Sequence, residues 1–230
     1  MSEHMHRPRE GFGRLFRHLY RSHPWHGVPI GPEAPGTVSA YIEMTPTDTI
    51  KYEMDKATGI LKVDRPQVYS NVCPALYGFI PQTYCAEECA GLCMERTGRV
   101  GVEGDGDPLD ICVLTEKHIS HGNVLLQAIP IGGLRMIDKN EADDKIIAVM
   151  KNDAAYQRFQ SIEDCPESII DRLRHYFLTY KQGPDSSLPL CEITHVYGRE
   201  EAHEVIRRCG TDYFHHFSDI AAMLRASISD

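Results

Sequence analysis

The sequence predicts an α+β fold in which a small, strongly curved β-barrel is followed by helices. Two observations support this prediction. Short apolar segments separated by glycine-containing turns occupy residues 38–150, and such a series is typical of small barrels. Helical periodicity is concentrated in the last third of the chain, and strands followed by helices indicate the α+β class.

The composition is that of an ordinary globular protein. The chain has 230 residues, 42% of them apolar and 25% charged, which is enough for one substantial core. We predict an N-terminal extension and linker over residues 1–37 and a main domain over residues 38–230. No apolar run approaches the ~20 residues that span a bilayer, and we see no apolar signal segment. We therefore expect a cytoplasmic protein that does not bind membranes and keeps its eight cysteines reduced.

The net charge of −9 is unevenly distributed along the chain. Five arginines and two glutamates give residues 1–26 a charge of +3, so the remainder carries −12. An acidic body argues against nucleic-acid binding, which normally requires a basic surface. It can still bind an anion where metal ions bridge the two.

The first elements are an amphipathic segment and a linker. Apolar residues recur at helical spacing over residues 12–20, which predicts a short helix that docks on a membrane or partner, or packs on its own protein. We favour packing within the protein, because a single basic amphipathic stretch is a weak signal. The Pro/Gly-rich residues 23–36 form the predicted linker, in which the lone Trp25 is expected to pack.

The strands are predicted from alternation and from apolar runs. Residues 50–54 alternate so that Lys51 and Glu53 share one face, residues 55–59 form a hairpin turn, and residues 60–65 return. Further strands are predicted at the positions 109–114, 124–137, where Gly132-Gly133 indicates a bulge or corner, and 146–150.

The helices are predicted from apolar spacing near 3.6 residues. One helix is expected over residues 167–181, with Leu173 and Phe177 on its buried face. A second is expected around residues 202–209, and a short third over residues 220–224.

The segment Gly104-Asp105-Gly106-Asp107-Pro108-Leu109-Asp110 places three carboxylates within six residues. Such close carboxylates repel one another unless a cation neutralises them, and hard oxygen ligands favour Mg²⁺, Mn²⁺ or Ca²⁺. An EF-hand loop is excluded, because Asp110 occupies the position where that loop requires glycine. The aspartates can also be simple turn formers before a strand.

A second acidic cluster, Asp138, Asp143 and Asp144 with Lys145, follows the long predicted strand. Alone it fits a solvated hairpin tip. Two acidic clusters at strand ends instead favour a multi-metal phosphoryl-transfer site, because such sites draw carboxylates from several segments. Glu43 adds a further carboxylate on a strand.

These motifs together resemble the soluble family I inorganic pyrophosphatases. The resemblance rests on their order, which is IKYEMDK at 50–56, VDR at 63–65, PALYGFIP at 74–81, GDGDPLD at 104–110, IDKNEADDK at 137–145 and YFLTYK at 176–181. It implies an OB-like closed barrel flanked by C-terminal helices, and a homo-oligomer that hydrolyses pyrophosphate to two phosphates by a water that several Mg²⁺ ions activate. Mn²⁺ is a possible substitute. Two alternatives stay open, a non-catalytic pyrophosphate-binding module and a nucleic-acid module on the same barrel.

The resemblance also implies a role for each matching residue. Asp105, Asp110 and Asp143 would hold a central metal pair, Asp138 and Glu53 further metals, with Glu43 supporting them. Asp107 would accept a proton from the attacking water. The phosphoryl oxygens would be bound by Lys51, Arg65, Tyr77, Lys145, Tyr180 and Lys181.

Three features depart from the family pattern. Cys73 stands where relatives usually carry a tyrosine, so one phosphate contact is missing or supplied elsewhere. The connection over residues 84–103 is an inserted loop, longer than usual, and the N-terminal extension is additional. The loop holds Cys85, Cys89 and Cys93 at helical spacing, which fits a zinc site or redox switch, although we favour reduced, partly buried thiols.

Overall fold

The computed structural model describes residues 22–183 and 191–227, with side-chain detail to residue 218. The predicted amphipathic segment at residues 12–20 lies outside these ranges. The strands are β1 (Val38–Met44), β2 (Ile50–Met54), β3 (Leu61–Pro66), β4 (Leu76–Phe79), β5 (Glu103–Gly104), β6 (Asp110–Leu114), β7 (Val124–Asp138), β8 (Glu141–Ala142), β9 (Lys145–Met150) and β10 (Cys191–Gly198). The helices are α1 (Glu87–Thr97), α2 (Glu167–Thr179) and α3 (Arg199–Ser227), with a 3₁₀ turn at Ile162–Asp164.

Eight of the strands in the described residues form one large sheet, and five of them are paired in a cycle. β1 pairs with β4, β4 with β6, β6 with β9, β9 with β7, and β7 again with β1. Only the β6–β9 pair of this cycle is parallel. β8 and β10 extend the sheet from β7, and β5 pairs with β8. The α+β class predicted from the sequence is confirmed.

β2 and β3 form a separate two-stranded hairpin, as the alternation of residues 50–54 predicts. Its turn is closed by Asp55, whose backbone carbonyl accepts from Gly59 N–H at 2.8 Å and whose carboxylate accepts from Thr58 N–H at 2.9 Å. The charged face of the hairpin, with Lys51 and Glu53, lies toward the start of β6.

The long strand β7 bends where the sequence predicts a corner. Its register against β9 shifts between Pro130 and Gly132. A Cβ atom on Gly133 would lie 2.5 Å from the ring of Tyr197, so the neighbouring strand β10 can approach only because this residue is glycine. The bend lets one strand pair with β1, β9 and β10 along its length.

The helices differ from the prediction in three ways. α2 ends at Thr179, two residues before the predicted end, so Tyr180 and Lys181 lie immediately beyond it. The predicted loop at 84–103 contains α1, which ends at Gly98 in a left-handed conformation with its N–H bonded to Met94 O at 2.9 Å. The separate third helix is wrong, because α3 continues through residues 220–224 with no proline to interrupt it.

The sheet buries both of its faces, which explains the continuous apolar runs in its strands. On β6, Ile111 and Val113 pack in the cluster that includes α1 and α3. The alternate residues Cys112 and Leu114 pack in the cluster that includes Leu173 of α2. α1 and α3 are therefore packed on one face of the sheet and α2 on the other. The C-terminal end of α2 lies beside the charged residues at the start of β6.

Residues 22–37 pack against the main domain. Trp25 is 3% exposed, and its indole N–H donates to Thr83 O at 2.7 Å. The predicted packing of this tryptophan is confirmed. No helix in the described part of the chain is long and apolar enough to cross a membrane.

Candidate active site

A cavity of about 190 Å³ opens where the β2–β3 hairpin, the start of β6 and the end of α2 meet. Every predicted site residue except Arg65 lines it. The lining carboxylates are Glu43, Glu53, Asp105, Asp107, Asp110, Asp138, Glu141 and Asp143, and the lining lysines are Lys51, Lys56, Lys145 and Lys181. Eight acids face four ammonium groups, so the cavity has an excess of negative charge that attracts cations.

The segment 104–110 with its three aspartates, here called the acidic loop, joins β5 to β6 and lines the cavity. Gly106 adopts φ +71°, which favours glycine, and the turn is closed by Asp107 N–H donating to Asp105 Oδ1 at 2.9 Å. Burial and the neighbouring Asp143 carboxylate raise the pKa of Asp105 to about 9. Burial raises the pKa of Asp110 as well, in spite of the Lys145 ammonium beside it. A cation bound beside these carboxyl groups would lower their pKa values, because it favours the ionised form.

Lys145 lies at the centre of the acidic groups. It is the cross-strand partner of Asp110 in the parallel β6–β9 pair, and its side chain is 2% exposed. Its ammonium donates to Asp110 Oδ2 at 2.5 Å and also pairs with Asp143. Tyr77 of β4 donates its hydroxyl to the same Asp110 oxygen at 2.6 Å. Strands β4, β6 and β9 therefore bring Tyr77 and Lys145 to the one carboxylate of Asp110.

The end of α2 supplies the far wall. Lys181 donates to Asp138 Oδ2 at 2.5 Å, and although burial opposes the charge, this bond raises the pKa of Lys181. The second oxygen, Asp138 Oδ1, is buried and has no hydrogen-bond partner among the described residues. A buried carboxylate oxygen of this kind is costly unless a ligand completes it.

The hairpin wall carries Lys51 and Glu53, whose charged groups lie 3.4 Å apart on one face as predicted. Glu43 of β1 lies behind them, and its Oε1 accepts from Met54 N–H at 2.7 Å. Burial raises the pKa of Glu43 to about 8. Glu43 thus supports the hairpin as well as facing the cavity.

Asp107 is the most accessible aspartate of the acidic loop, with 43% of its side chain exposed. It forms an ion pair with Lys56, which also donates to Gly106 O at 3.1 Å. The sequence patterns gave Lys56 no role, although it is the last residue of the IKYEMDK motif. Glu141 was missed too, because a two-residue strand carries no periodic signal.

The structure changes two groupings that the sequence suggested. Arg65 does not line the cavity: its guanidinium pairs with Asp64 at 2.5 Å and lies 6.0 Å from the centre of the Tyr180 ring. Asp144, which the sequence grouped with the second acidic cluster, does not line the cavity and pairs instead with Arg135 at 3.0 Å. The alternation of side chains next to β9 separates it from Asp143.

The donor set fits hard divalent metal ions. Its oxygen ligands come from several segments, and the Asp138 oxygen lacks a partner among the described residues. Burial raises the pKa of Asp105 and Asp110 in spite of the Lys145 ammonium near them. Oxygen-rich sites of this kind suit Mg²⁺, Mn²⁺ or Ca²⁺.

Comparisons with known proteins agree with this geometry. A sequence profile described as inorganic pyrophosphatase matches residues 40–214. The inorganic pyrophosphatase of Chlamydia caviae is 51% identical over 199 residues, covering 85% of this chain and 92% of the relative. The soluble inorganic pyrophosphatase of Oryza sativa is 38% identical over 171 residues, or 74% and 71% of the two chains.

A solved structure shows the same relationship. The crystal structure of the inorganic pyrophosphatase from Thermus thermophilus superposes with a TM-score of 0.70 at 31% identity, covering 84% of this chain and 99% of that one. The uncovered part of the present chain reflects additional residues. The profile spans the acidic loop, the hairpin and the end of α2, and with these relatives it shows that the chain belongs to the inorganic pyrophosphatase family.

Proposed function

We propose that this protein is an inorganic diphosphatase that hydrolyses pyrophosphate to two phosphates with the help of bound divalent metal ions. The observation that carries the proposal is one cavity in which eight carboxylates meet four lysines and two tyrosines, in a chain of the inorganic pyrophosphatase family. We also propose that the five-strand cycle is a closed, OB-like barrel, which the pairing of β1 with both β4 and β7 supports.

We assign the metal ions to the buried carboxylates and propose Mg²⁺ as the natural ion, with Mn²⁺ as a substitute. Asp105, Asp110 and Asp143 would hold the central ions, and Asp138 and Glu53 would hold others. When bound, such ions neutralise the charge of the substrate and lower the pKa of coordinated water. The partnerless Asp138 oxygen and the raised pKa of Asp105 support this assignment.

Asp107 is assigned as the proton acceptor. It is accessible while the other aspartates of its loop are largely buried, and a group that accepts a proton from water must be reachable by it. Its ion pair with Lys56 fixes the carboxylate at the cavity entrance. We therefore add Lys56 to the site as the residue that positions Asp107.

The phosphoryl oxygens are assigned to fixed cations and hydroxyls. Lys51, Lys145 and Lys181 place ammonium groups on three sides of the cavity, where they can stabilise charge that spreads over phosphoryl oxygens. Tyr180 lies beside Lys181, and Tyr77 positions Asp110. Arg65 stays a proposed phosphate ligand, although it lies outside the cavity lining and its guanidinium pairs with Asp64. Cys73 is 1% exposed and does not line the cavity, so it replaces no phosphate contact.

The direct test is phosphate release from pyrophosphate with excess Mg²⁺. Asp107→Asn is expected to reduce turnover by about 10²-fold or more, the usual scale for a general base. Asp171→Asn, on the exposed side of α2, is the matched control and should leave turnover unchanged. Folded protein that releases no phosphate would contradict the proposal. Calorimetric binding of pyrophosphate without release would instead support the non-catalytic module.

The remaining expectations stay predictions. The cytoplasmic location agrees with the name of the soluble rice relative. A homo-oligomer agrees with exposed apolar side chains such as Tyr69 and Phe214. Gel filtration with light scattering would measure the oligomeric state.

A further inference from the structure

Three buried thiols meet where α1 packs against α3. Cys85 precedes α1, Cys89 lies in its first turn, and Cys209 faces them from α3, with exposures of 2%, 3% and 0%. Their sulfur atoms all lie within 4.8 Å of one another. Cys93, which helical spacing grouped with the first two, lies one turn further along α1 and is outside this set. Cys209 takes its place, a contact across 124 residues.

The sulfur spacing matches that of thiolates sharing one metal ion. Zinc–sulfur bonds of about 2.3 Å at tetrahedral angles place two sulfur atoms roughly 3.8 Å apart. The Cys85 and Cys209 sulfur atoms are 3.8 Å apart. One sulfur–sulfur distance therefore already suits a shared ion, and the other two, within 4.8 Å, need to close by at most about 1 Å.

The backbone on both sides of the thiols is fixed by hydrogen bonds. Tyr84 N–H donates to Cys209 O at 2.9 Å, which joins the segment before α1 directly to α3. Asp212, about one turn beyond Cys209, accepts from the N–H groups of Ala86, Glu88 and Cys89, each at 3.0 Å. These bonds satisfy the first turn of α1 and hold the three thiols in register. Ligands that are held in this way lose little freedom on binding.

The electrostatic surroundings favour a thiolate at Cys89 alone of the three. Hydrogen bonds from the Cys209 and Cys85 thiols lower the pKa of Cys89, and the nearby Arg135 guanidinium lowers it further. Arg135 is itself buried, so its charge is poorly screened by water. The hydrogen bonds to Cys209 and Cys89 raise the pKa of Cys85, and the pKa of Cys209 is raised by its bond with Cys89 and by burial, in spite of its bond with Cys85. Thiolates, rather than thiols, bind soft metal ions. A metal ion that binds here therefore displaces the other two thiol protons.

We propose that Cys85, Cys89 and Cys209 form a buried site that binds one soft metal ion, Zn²⁺ or Cu⁺, through three sulfur ligands. Because the sulfur atoms are buried, the ion enters as the protein folds. The site lies directly beneath the acidic loop: Cys85 N–H donates to Asp107 O at 2.9 Å, and Gly106 N–H donates to Cys85 O at 3.0 Å. The bound ion thereby stabilises the backbone that carries Asp107.

The test is metal analysis of full-length protein from cells grown with added zinc or, in parallel, added copper. The protein is purified under reducing conditions and passed through gel filtration in excess Mg²⁺, which occupies the carboxylate cavity. We expect about one equivalent of zinc or copper to remain bound, as in structural thiolate sites. Protein that retains neither metal overturns the proposal and leaves three reduced thiols.

Two variants and one spectrum locate the ion. Cys209→Ser should lose the retained metal, whereas Cys93→Ser, a buried thiol on the same helix as Cys89 but outside the set, should keep it. Equal retention by both variants overturns the proposal. If Cys209→Ser does not fold, X-ray absorption of the metal-loaded natural protein decides instead. Three sulfur neighbours at about 2.3 Å support the site, and a shell of oxygen neighbours alone overturns it.

Discussion

Replacing Gly104 by alanine should misplace the acidic loop without removing any charged group. Gly104 is the last residue of β5, immediately before Asp105. A Cβ atom there would lie 2.3 Å from Cys85 O and 2.5 Å from Ala86 Cα. Ordinary contact begins near 3.4 Å, so the two segments must separate by about 1 Å. Both contacts are backbone atoms, which cannot rotate aside as a flexible side chain can.

The size of the effect follows from this displacement. The Cys85 segment is tied to α3, so the acidic loop, which carries Asp107, must move instead. A misplacement of about 1 Å in a catalytic site can reduce the rate by about 10²-fold. Overpacking of this kind also destabilises a protein by about 1–3 kcal/mol. We therefore expect both turnover and the free energy of unfolding to fall.

The assay is steady-state phosphate release with saturating Mg²⁺, paired with urea unfolding. Gly91→Ala is the control, because a Cβ atom at Gly91, inside α1, meets nothing within 4 Å. It should leave turnover unchanged and raise the free energy of unfolding by about 0.5–1 kcal/mol. A turnover of Gly104→Ala within about twofold of the natural enzyme, well short of the loss expected from a misplaced site, would refute the reasoning. The loop would then have absorbed the extra atom without moving Asp107.

Three further predictions test other parts of the structure. Lys145→Met leaves the Asp110 and Asp143 carboxylates buried without their ammonium partner. Urea unfolding in the presence of a chelator should therefore show a free energy of unfolding lower by about 3–5 kcal/mol, and a decrease below about 1 kcal/mol would contradict the buried ion pair. Burial lowers the pKa of His26 from 6.5 to about 4, so between these values the unfolded chain binds a proton that the folded chain does not. The free energy of unfolding should therefore fall as the pH drops through this window, by about 1 kcal/mol at about pH 5 after allowance for a half-exposed ring. Urea unfolding at about pH 7 and about pH 5 measures this loss, and His26→Gln should not show it. Leu173 of α2 is 1% exposed, so Leu173→Ala should lower the free energy of unfolding in urea by about 2–5 kcal/mol. It should also reduce turnover, because α2 positions the far wall of the cavity. Unchanged turnover would show that the packing of α2 does not position the site.

Short-range patterns predicted much of the site. Alternation over residues 50–54 placed Lys51 and Glu53 on one face, and their charged groups indeed lie 3.4 Å apart. The acidic loop is followed by β6, so Asp110 enters the sheet at its first residue. Helical spacing predicted α2 and its buried face, although the helix ends at Thr179, two residues before the predicted end. In each case the positions of the side chains follow from the regular geometry of one strand or helix, so the local sequence is enough to predict them.

The positions of long side chains and the contacts between distant segments were not predicted. Arg65 pairs with its own neighbour Asp64 rather than lining the cavity, and a strand pattern cannot distinguish these positions of a long, flexible side chain. Cys209 approaches Cys85 only because α3 crosses α1, which no local spacing encodes. Asp144 is different, since the alternation beside β9 already separates it from Asp143 and the sequence could have revealed this.

The position of the acidic loop depends on α3 as well as on its own sequence. The two glycines of the loop are required for different reasons. Gly106 adopts a positive φ, whereas Gly104 leaves room for the backbone of Cys85 and Ala86. That backbone is fixed by Asp212 and by the bond from Tyr84 to α3. In our two proposals, the loop carries oxygen ligands on one side and rests on the thiols of α1 and α3 on the other. Hard ions would select the oxygen side and soft ions the sulfur side, so the two kinds of metal would not compete for one position.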